Sequence, residues 1–457
     1  MAQDTKLLKR AFAPAKLAMK YHPLYHGKIE IAPKVPVDSY DDFAVWYTPG
    51  VADPCKEIQK NPDRVFDYTN KWNNVAIVTD GTRVLGLGDI GPEAGLPVME
   101  GKSLLFKYLG GVDAFPICLG TSVPEDIKNA VRWLQPSFGG VNLEDISQPK
   151  CFEILDTLRN ELRIPVWHDD QQGTGTVVCA GLINALKVVG KKIPQAQICM
   201  VGAGAANIAI ARIIMEAGVT PGNIIMVDKT GILSKERSEL REDFKAKWNM
   251  CEKTNQEGRV GGLEQAIGGA DVLIAMSSSG PGVIQKDLIK RMNSDAIVFA
   301  CANPIPEIWP WEAKAGGAKI IATGRSDFPN QVNNSIGFPA IFRGTLDVRA
   351  RMITDEMCIA AAREIASVAE EKGLSEEHII PSMSDKEVFP REAAAVGLEA
   401  IKQGIARLKF GKKQLYERAN SIIEHSRKTA EMLMRRGLIK SLPGHTKTGG
   451  IRRRRAN

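Results

Sequence analysis

Apolar positions along this chain come as short tracts separated by longer amphipathic stretches, and the spacing changes from one third of the sequence to the next. Up to about Asp170 the tracts are brief and broken by many Pro and Gly residues. Val75–Thr79 reads as a strand that stops at the turn pair Asp80-Gly81. Ala114–Leu119 is a second apolar run, and Thr121 or Ser122 can cap a helix over Glu125–Leu134 with Pro124 in its first turn. Gly139–Ile146 predicts a strand and its end, Pro149–Glu161 an amphipathic helix, and Ile164–Trp167 a strand running into His168-Asp169-Asp170.

The middle third is more regular. Gln197–Val201 predicts a strand, Gly202–Gly204 a tight turn, Ala205–Ala217 a helix, and Asn223–Val227 a strand closed by Asp228. Asp271–Ala275, Ala296–Ala300 and Lys319–Ala322 supply three more β runs. Strands parted by helical patterns imply a parallel, doubly wound α/β sheet. After Asp347 the pattern turns helical, with Met352–Glu371 and Ala393–Leu408 the strongest candidates. The expected division is 1–170, an α/β unit; 171–395, a Rossmann-like unit; and 396–457, a helical segment with a basic tail.

Composition narrows this frame. With 457 residues, 44% hydrophobic and 25% charged, the chain can bury ordinary globular cores. No apolar run reaches the roughly 18–20 residues that span a bilayer, so no membrane partner is expected. Lys6, Lys9, Arg10, Lys16 and Lys20 mark a cationic amphipathic N-terminal helix of the mature protein; Asp4 argues against a mitochondrial presequence. The eight cysteines form no Cys-x-x-Cys pair, which suits reduced thiols in a cytoplasmic protein. The net charge of +7 owes part of its excess to Arg452–Arg455. That tail reads as a solvated end, not a nucleic-acid contact.

The strand, the turn Gly202-Ala203-Gly204-Ala205-Ala206-Asn207 and the following helix make the first part of a G-x-G-x-x-G fingerprint. Gly202 permits the turn, and Gly204 lets the backbone approach a pyrophosphate at the helix N-terminus, beside Ala205 and Ala206. The third position is Asn207, neither Gly nor Ala. Asp228 ends the next strand, where an acidic residue binds a ribose 2′-hydroxyl and repels a 2′-phosphate. Lys229 beside it can pair with a 2′-phosphate. Either NAD or NADP is compatible, with a lean to NAD.

Glu144-Asp145 and Asp169-Asp170 each close a predicted strand. Carboxylates at the C-terminal ends of parallel strands point into the ligand crevice, and several of them together call for a hard cation, Mg²⁺ or Mn²⁺. The plainer reading of the Asp pair is capping of a helix that starts near Gly173. His168 is a further possible ligand or a hydrogen-bonded structural residue. Arg83–Gly91 is a second glycine-rich stretch, interrupted by Pro92, Gly95 and Pro97, and reads as a shaped ligand loop. Lys102 then falls just inside a helix start, where the dipole lowers its pKa and suits it to act as a base. By residue type alone Lys102 is a solvated lysine and Tyr47 a packed aromatic.

Taken in order, Tyr-Thr-Pro-Gly-Val-Ala (47–52), Thr-Asp-Gly-Thr-Arg-Val-Leu-Gly-Leu-Gly-Asp-Ile-Gly (79–91), Met-Glu-Gly-Lys (99–102), Leu-Glu-Asp-Ile (143–146), His-Asp-Asp-Gln-Gln-Gly-Thr (168–174), Ala-Asn-Pro (302–304) and Asn-Gln-Val-Asn-Asn (330–334) resemble the malic enzyme family, from about Asp38 to Ala350. The length resembles the short bacterial and archaeal members, without a phosphotransacetylase-like domain. The resemblance implies an N-terminal substrate and metal domain and an NAD(P)-binding domain. It implies divalent-metal-dependent oxidation and decarboxylation of L-malate to pyruvate and CO₂, with oxaloacetate decarboxylation beside it, in a homodimer or larger homo-oligomer. It makes Tyr47 the general acid and Lys102 the general base, with Asp169 tuning Lys102. Glu144, Asp145 and Asp170 become metal ligands. Arg83, Asn303, Asn333 and Asn334 become contacts to substrate, and Asn303 also to the nicotinamide ribose. Lys229-Thr230 departs from the serine or arginine followed by lysine of many relatives.

Three other readings make separate forecasts. A metal-independent amino-acid dehydrogenase would not need the carboxylate set. Malolactic conversion would release no reduced cofactor. A non-catalytic dinucleotide sensor would bind nucleic acid through the tail and turn nothing over.

Overall fold

The computed structural model describes residues 2–443, with side chains from residue 14 onward; the arginine tail lies outside the described residues. The first sheet holds β1 (Asn74–Thr79), β2 (Asp113–Cys118), β3 (Gly140–Leu143) and β4 (Val166–His168), all parallel in the order β2-β1-β3-β4. Alternate β1 side chains leave on opposite faces. Val75 and Ile77 pack with Met99, Phe106, Phe338 and Phe342, whereas Ala76 and Val78 pack with Ile127, Val131, Ile154 and Leu158. Both faces are therefore covered by helices, which is why β1 reads as a continuous apolar run rather than an alternating one.

The second sheet contains β5 (Ile198–Val201), β6 (Ile224–Asp228), β7 (Gly231–Ile232), β8 (Val272–Ala275), β9 (Ala296–Ala300) and β10 (Ala318–Thr323). Its order is β10-β9-β8-β5-β6-β7, parallel except for the short β7 hairpin partner. The chain leaves β5 for β6 on one side and reaches β8 on the other, so a crevice opens above the C-terminal ends of β5 and β8.

Four C-terminal helices, Phe338–Asp347, Asp355–Glu371, Val388–Lys402 and Lys412–Arg436, close the molecule. Helix Asp355–Glu371 starts later than the apolar spacing suggested, because the Thr354 hydroxyl caps it by accepting from Met357 N–H. Helix Val388–Lys402 starts earlier than Ala393 and does not reach Leu408, since a turn at Gly404 (φ +71°) ends it. The first of the four returns to the first sheet: the ring of Phe106 lies 4.6 Å from Phe338 and 5.2 Å from Phe342. The fully buried Arg343 is held by Asn73 and by Asp347, which also takes Arg418 of the last helix at 2.8 Å. A buried charge tied on several sides fixes that return, since removing any partner would strand it.

A helix spans Ala2–Tyr25, and the arm that follows behaves differently from the rest of the chain. Ile31, Tyr40 and Tyr47 are 86%, 88% and 70% exposed, and Phe43, Val45 and Trp46 are exposed beside them. Among the described residues no helix is long and apolar enough to cross a membrane.

Candidate active site

The C-terminal ends of β1, β3 and β4 lie side by side, and each delivers carboxylates to one spot. Asp80 follows β1, Glu144 and Asp145 follow β3, and Asp169 and Asp170 follow β4. Ligand oxygens of Glu144, Asp145 and Asp170 lie within 4.8 Å of one another, and His168 is not in this group. The Asp145 backbone sits in the left-handed region at φ +54°, its N–H donates to Asp170 Oδ2 at 2.9 Å, and one of its own oxygens is buried without a partner. Burial, and then the Asp170 carboxylate, push the Asp145 carboxyl up to about 8; burial likewise raises Glu144. Three crowded acids with an all-oxygen donor set and an orphaned carboxylate atom fit a hard divalent cation.

Lys102 meets this cluster from the side, and here the sequence reading needs correction. The helix begins at Pro92 and runs unbroken to Gly110 through Gly95 and Pro97, so Lys102 lies in its interior and not at its start. Pro92 is tolerated at the first helical position, where the N–H has no intrahelical acceptor, whereas Pro97, the sixth residue, forgoes the bond to Glu93 O and the helix continues past it. The dipole argument for a lowered pKa therefore fails. Lys102 is buried, its ammonium contacts Asp169 and lies 2.6 Å from Glu144 Oε1, and it sits 4.5 Å over the Phe338 ring. Burial works against its charge, but Asp169 and then Glu144 raise its pKa above the usual lysine range.

Asp169 is fully buried; beside Lys102 it accepts from Asn334 Nδ2 and, at 3.3 Å, from Trp167 Nε1. A side chain at Gly173 would overlap its Oδ1. The capping reading of the Asp pair gives way to a wide helical turn over Asp169–Gly173 that feeds helix Thr174–Val188. Wide turns of this kind cluster at functional sites. His168 is fully buried 3.6 Å from Asp170 with both ring nitrogens unpartnered, and burial lowers its pKa.

The glycine loop covers the cluster. Arg83 N–H donates to Asp145 O at 2.9 Å while the Arg83 side chain stays exposed at the rim. Asn303 is half-buried after β9, and its carbonyl is so close to Gly86 that a side chain there would overlap it. Asn334 reaches Asp169, but Asn333 turns back on its own loop, accepting from Ser335 N–H at 3.0 Å. Tyr47 is not brought in: its exposed ring shares no hydrogen bond or ring contact with the cluster among the described residues. Asn142 and Trp167 were missed from sequence. Asn142 Nδ2 donates to Glu144 Oε2 at 2.9 Å, and the signal available was a lone amide inside an apolar strand.

The second crevice is built from backbone. Gly202 has φ +97°, and a Cβ there would lie 2.6 Å from Met276 O. Helix Ala205–Glu216 starts just after Gly204, with Ala205 and Ala206 in its first turn. Asn207 explains the missing glycine: fully buried, its Nδ2 donates to Val201 O and Gly202 O, both at 2.8 Å, and so knits the turn to the helix. A cavity of about 760 Å³ opens beside Gly202, Asp228, Lys229, Arg237, Ser277 and Ser278. Asp228 accepts from Thr230, from Arg237 at 3.1 Å and from Lys247 at 2.7 Å. Burial opposes its charge, yet Lys247, Thr230 and Arg237 hold it well below the usual carboxylate range. Arg237 and Lys247 were absent from the sequence reading because they lie beyond the strand end that the motif describes.

An oxygen-ligand cluster at the strand ends of one sheet and a dinucleotide-type crevice at those of the other define a metal-assisted, nucleotide-dependent α/β enzyme. Residues 26–159 match the family described as malic enzyme, N-terminal domain, and residues 171–403 match malic enzyme, NAD binding domain. The chain is 47% identical over 405 residues to a bifunctional malic/malolactic enzyme of Bacillus subtilis, covering 89% of this chain and 97% of the relative. It is 50% identical over 381 residues to an NAD-dependent malic enzyme of Geobacillus stearothermophilus, covering 83% and 78%. The crystal structure of Entamoeba histolytica malic enzyme superposes with a TM-score of 0.94 at 47% identity, over 97% of this chain and 93% of that one. The chain belongs to the malic enzyme family.

Proposed function

We propose that this protein oxidises and decarboxylates L-malate to pyruvate and CO₂ while reducing NAD or NADP, with a divalent cation held by Glu144, Asp145 and Asp170. The observation that carries this reading is the buried Lys102 set between Asp169 and Glu144, next to three acids that suit a cation. Bound there, Mn²⁺ or Mg²⁺ supplies Lewis-acid stabilisation of negative charge on substrate oxygen. Bound in the second crevice, the dinucleotide supplies a hydride acceptor. Arg83 at the rim suits a malate carboxylate, for which guanidinium is the natural fork. Lys102 Nζ takes the proton of the C2 hydroxyl. With Glu144 and Asp170 engaged as ligands, Lys102 loses two of the three carboxylates that raise its pKa, and its burial then favours the free amine. Asp169, fixed by Trp167 and Asn334, keeps Nζ aimed.

Tyr47 is proposed as the acid that protonates C3, supplied by a second copy of the chain. The exposed apolar arm around it needs a partner surface, and among the described residues the buried site has no tyrosine of its own. Mixing Tyr47→Phe with Lys102→Ala subunits should then restore activity, to about a quarter of wild type if subunits exchange at random. No recovery in exchanged dimers would place both residues in one subunit. Free thiols, six of eight buried, suit a reducing cytoplasm.

Absorbance at 340 nm with L-malate, Mn²⁺ and either dinucleotide, a chelator control, and assays for pyruvate and lactate test the whole reading. Metal-dependent reduction with matching pyruvate is expected. Lactate without net reduction would favour malolactic conversion, a reading that the Bacillus subtilis relative's name keeps in play.

A further inference from the structure

Glu307 is fully buried between the two loops that leave β8 and β9. Its Oε1 accepts from Ser277 N–H at 2.8 Å and from the Ser277 hydroxyl at 3.4 Å; its Oε2 accepts from Ala302 N–H at 3.0 Å. Ser277 is the second residue after β8 and Ala302 the second after β9, so both donors belong to backbone that has just left the sheet ladder. Backbone bonds around Glu307 continue the stitch. Gly280 N–H donates to Ile305 O at 3.2 Å, and Ile284 N–H donates to Glu307 O at 3.2 Å. Among the described residues no cation pairs with this carboxylate, and burial raises its pKa against the pull of those N–H donors.

The two loops do different work. Ser277 and Ser278 line the cavity beside Asp228, and Met276 carries the carbonyl against which Gly202 is packed. Asn303 follows Ala302 and abuts Gly86 of the loop over the acidic cluster. One loop therefore belongs to the dinucleotide crevice and the other to the boundary with the metal site. A buried carboxylate is a costly way to join two loops. An apolar residue would fill the space but leave two buried N–H groups unpaired.

We propose that Glu307 is a positioning residue: its carboxylate sets the spacing between the Ser277 wall of the dinucleotide crevice and the Asn303 loop, and so aligns the nicotinamide end of the cofactor with the substrate. This rests on the dinucleotide-dependent reading above. Glutamine at 307 has one acceptor oxygen and one donor group, so it can satisfy one backbone N–H and must face the other with an amide NH₂. The dinucleotide should suffer while the carboxylate cluster, on another sheet, should not.

The test is fluorescence titration of NADH into the wild-type chain and Glu307→Gln, with a thermal melt, a Mn²⁺ titration and the malate kcat on each. Expected are a folded variant, NADH Kd weakened about tenfold, kcat with malate lowered in step, and Mn²⁺ affinity unchanged. An unchanged NADH Kd would overturn the proposal, as would an equal loss in Mn²⁺ binding, which marks a general structural role. Should Glu307→Gln fail to fold, Glu307→Asp serves, since a shorter carboxylate can reach only one loop; wild-type NADH affinity there would also overturn it. Turnover of the wild type with malate is judged first, on its own. Failure there would strike the proposed reaction, while the NADH comparison would still decide the role of Glu307.

Discussion

The two sheets offer their C-terminal ends to ligands in opposite ways. The first gathers charged side chains into a largely buried knot, open at Asp170, in which Lys102 balances acids that would otherwise repel one another. The second presents bare backbone, a glycine turn and a helix start, with one outlying carboxylate matched by two cations. A side-chain site concentrates its function in single atoms, so one substitution should remove it. A backbone site spreads its function over several N–H groups, so one substitution should only weaken it.

That contrast is broken most severely at Lys102. Lys102→Ala should lower kcat by about 10³-fold and leave the NADH Kd unchanged. Full activity in a folded variant would remove the base assignment and with it the claim that the first site is concentrated. Asp170→Asn should come next, weakening Mn²⁺ by about 100-fold or more in a direct titration, because one of three hard anionic ligands is lost. A metal titration matching wild type would exclude Asp170 as a ligand.

The same knot sets a pH dependence. Asp145 has a folded-state pKa of about 8, above its ordinary value of 3.8. The folded chain thus holds a proton that the unfolded chain releases across this window. For the metal-free protein, this group's contribution to stability is present below about 4 and falls as pH rises towards 8. Mn²⁺ must displace that proton at pH 6 but not above pH 8, so its affinity should rise by up to about tenfold per pH unit in between. The rise in Tm on adding Mn²⁺ should therefore be larger at pH 8 than at pH 6; an equal rise at both would show that Asp145 is already ionised.

What the chain makes legible in its sequence follows the same division. The strands, their order of appearance and the Gly202 turn were legible because local periodicity and turn chemistry write them directly. Each acid of the knot could be found at a predicted strand end. What joined them could not: Trp167, Asn142 and Asn334 meet Glu144 or Asp169 through contacts set by packing, and Lys102 was placed at a helix start because Pro92 and Pro97 were read as breaks. Two residues of the same motif, Asn333 and Asn334, proved to face different ways, since one caps its own turn while the other spans to Asp169. By residue type Tyr47 read as a packed aromatic, and only the family resemblance offered it as an acid; that it lies apart from the knot within one chain was not legible, because exposure is a property of the folded arm and not of the hexapeptide.

In the second crevice the expected effects are smaller, and they sharpen the comparison. Gly202→Ala combines a left-handed φ with a Cβ 2.6 Å from Met276 O, so the turn must shift. The dinucleotide KM should rise about tenfold with the Mn²⁺ titration unaltered; parallel losses in both would mean that the two sites are coupled through the sheet.

The smallest effect should come at Lys247. Its ammonium holds Asp228 Oδ2 at 2.7 Å, while Arg237 holds Oδ1. These two cations, with exposed Lys229 beside them, offset the carboxylate that would otherwise reject a 2′-phosphate. Lys247→Ala removes one of them without emptying the Asp228 site, because Arg237 and Thr230 remain. The kcat/KM with NADP should fall by about three- to tenfold, and that with NAD by less than about twofold, in line with one partly screened charge. Equal losses with both dinucleotides would mean that Lys247 acts by fixing Asp228 against the ribose, and the lean to NAD would then rest on Asp228 alone.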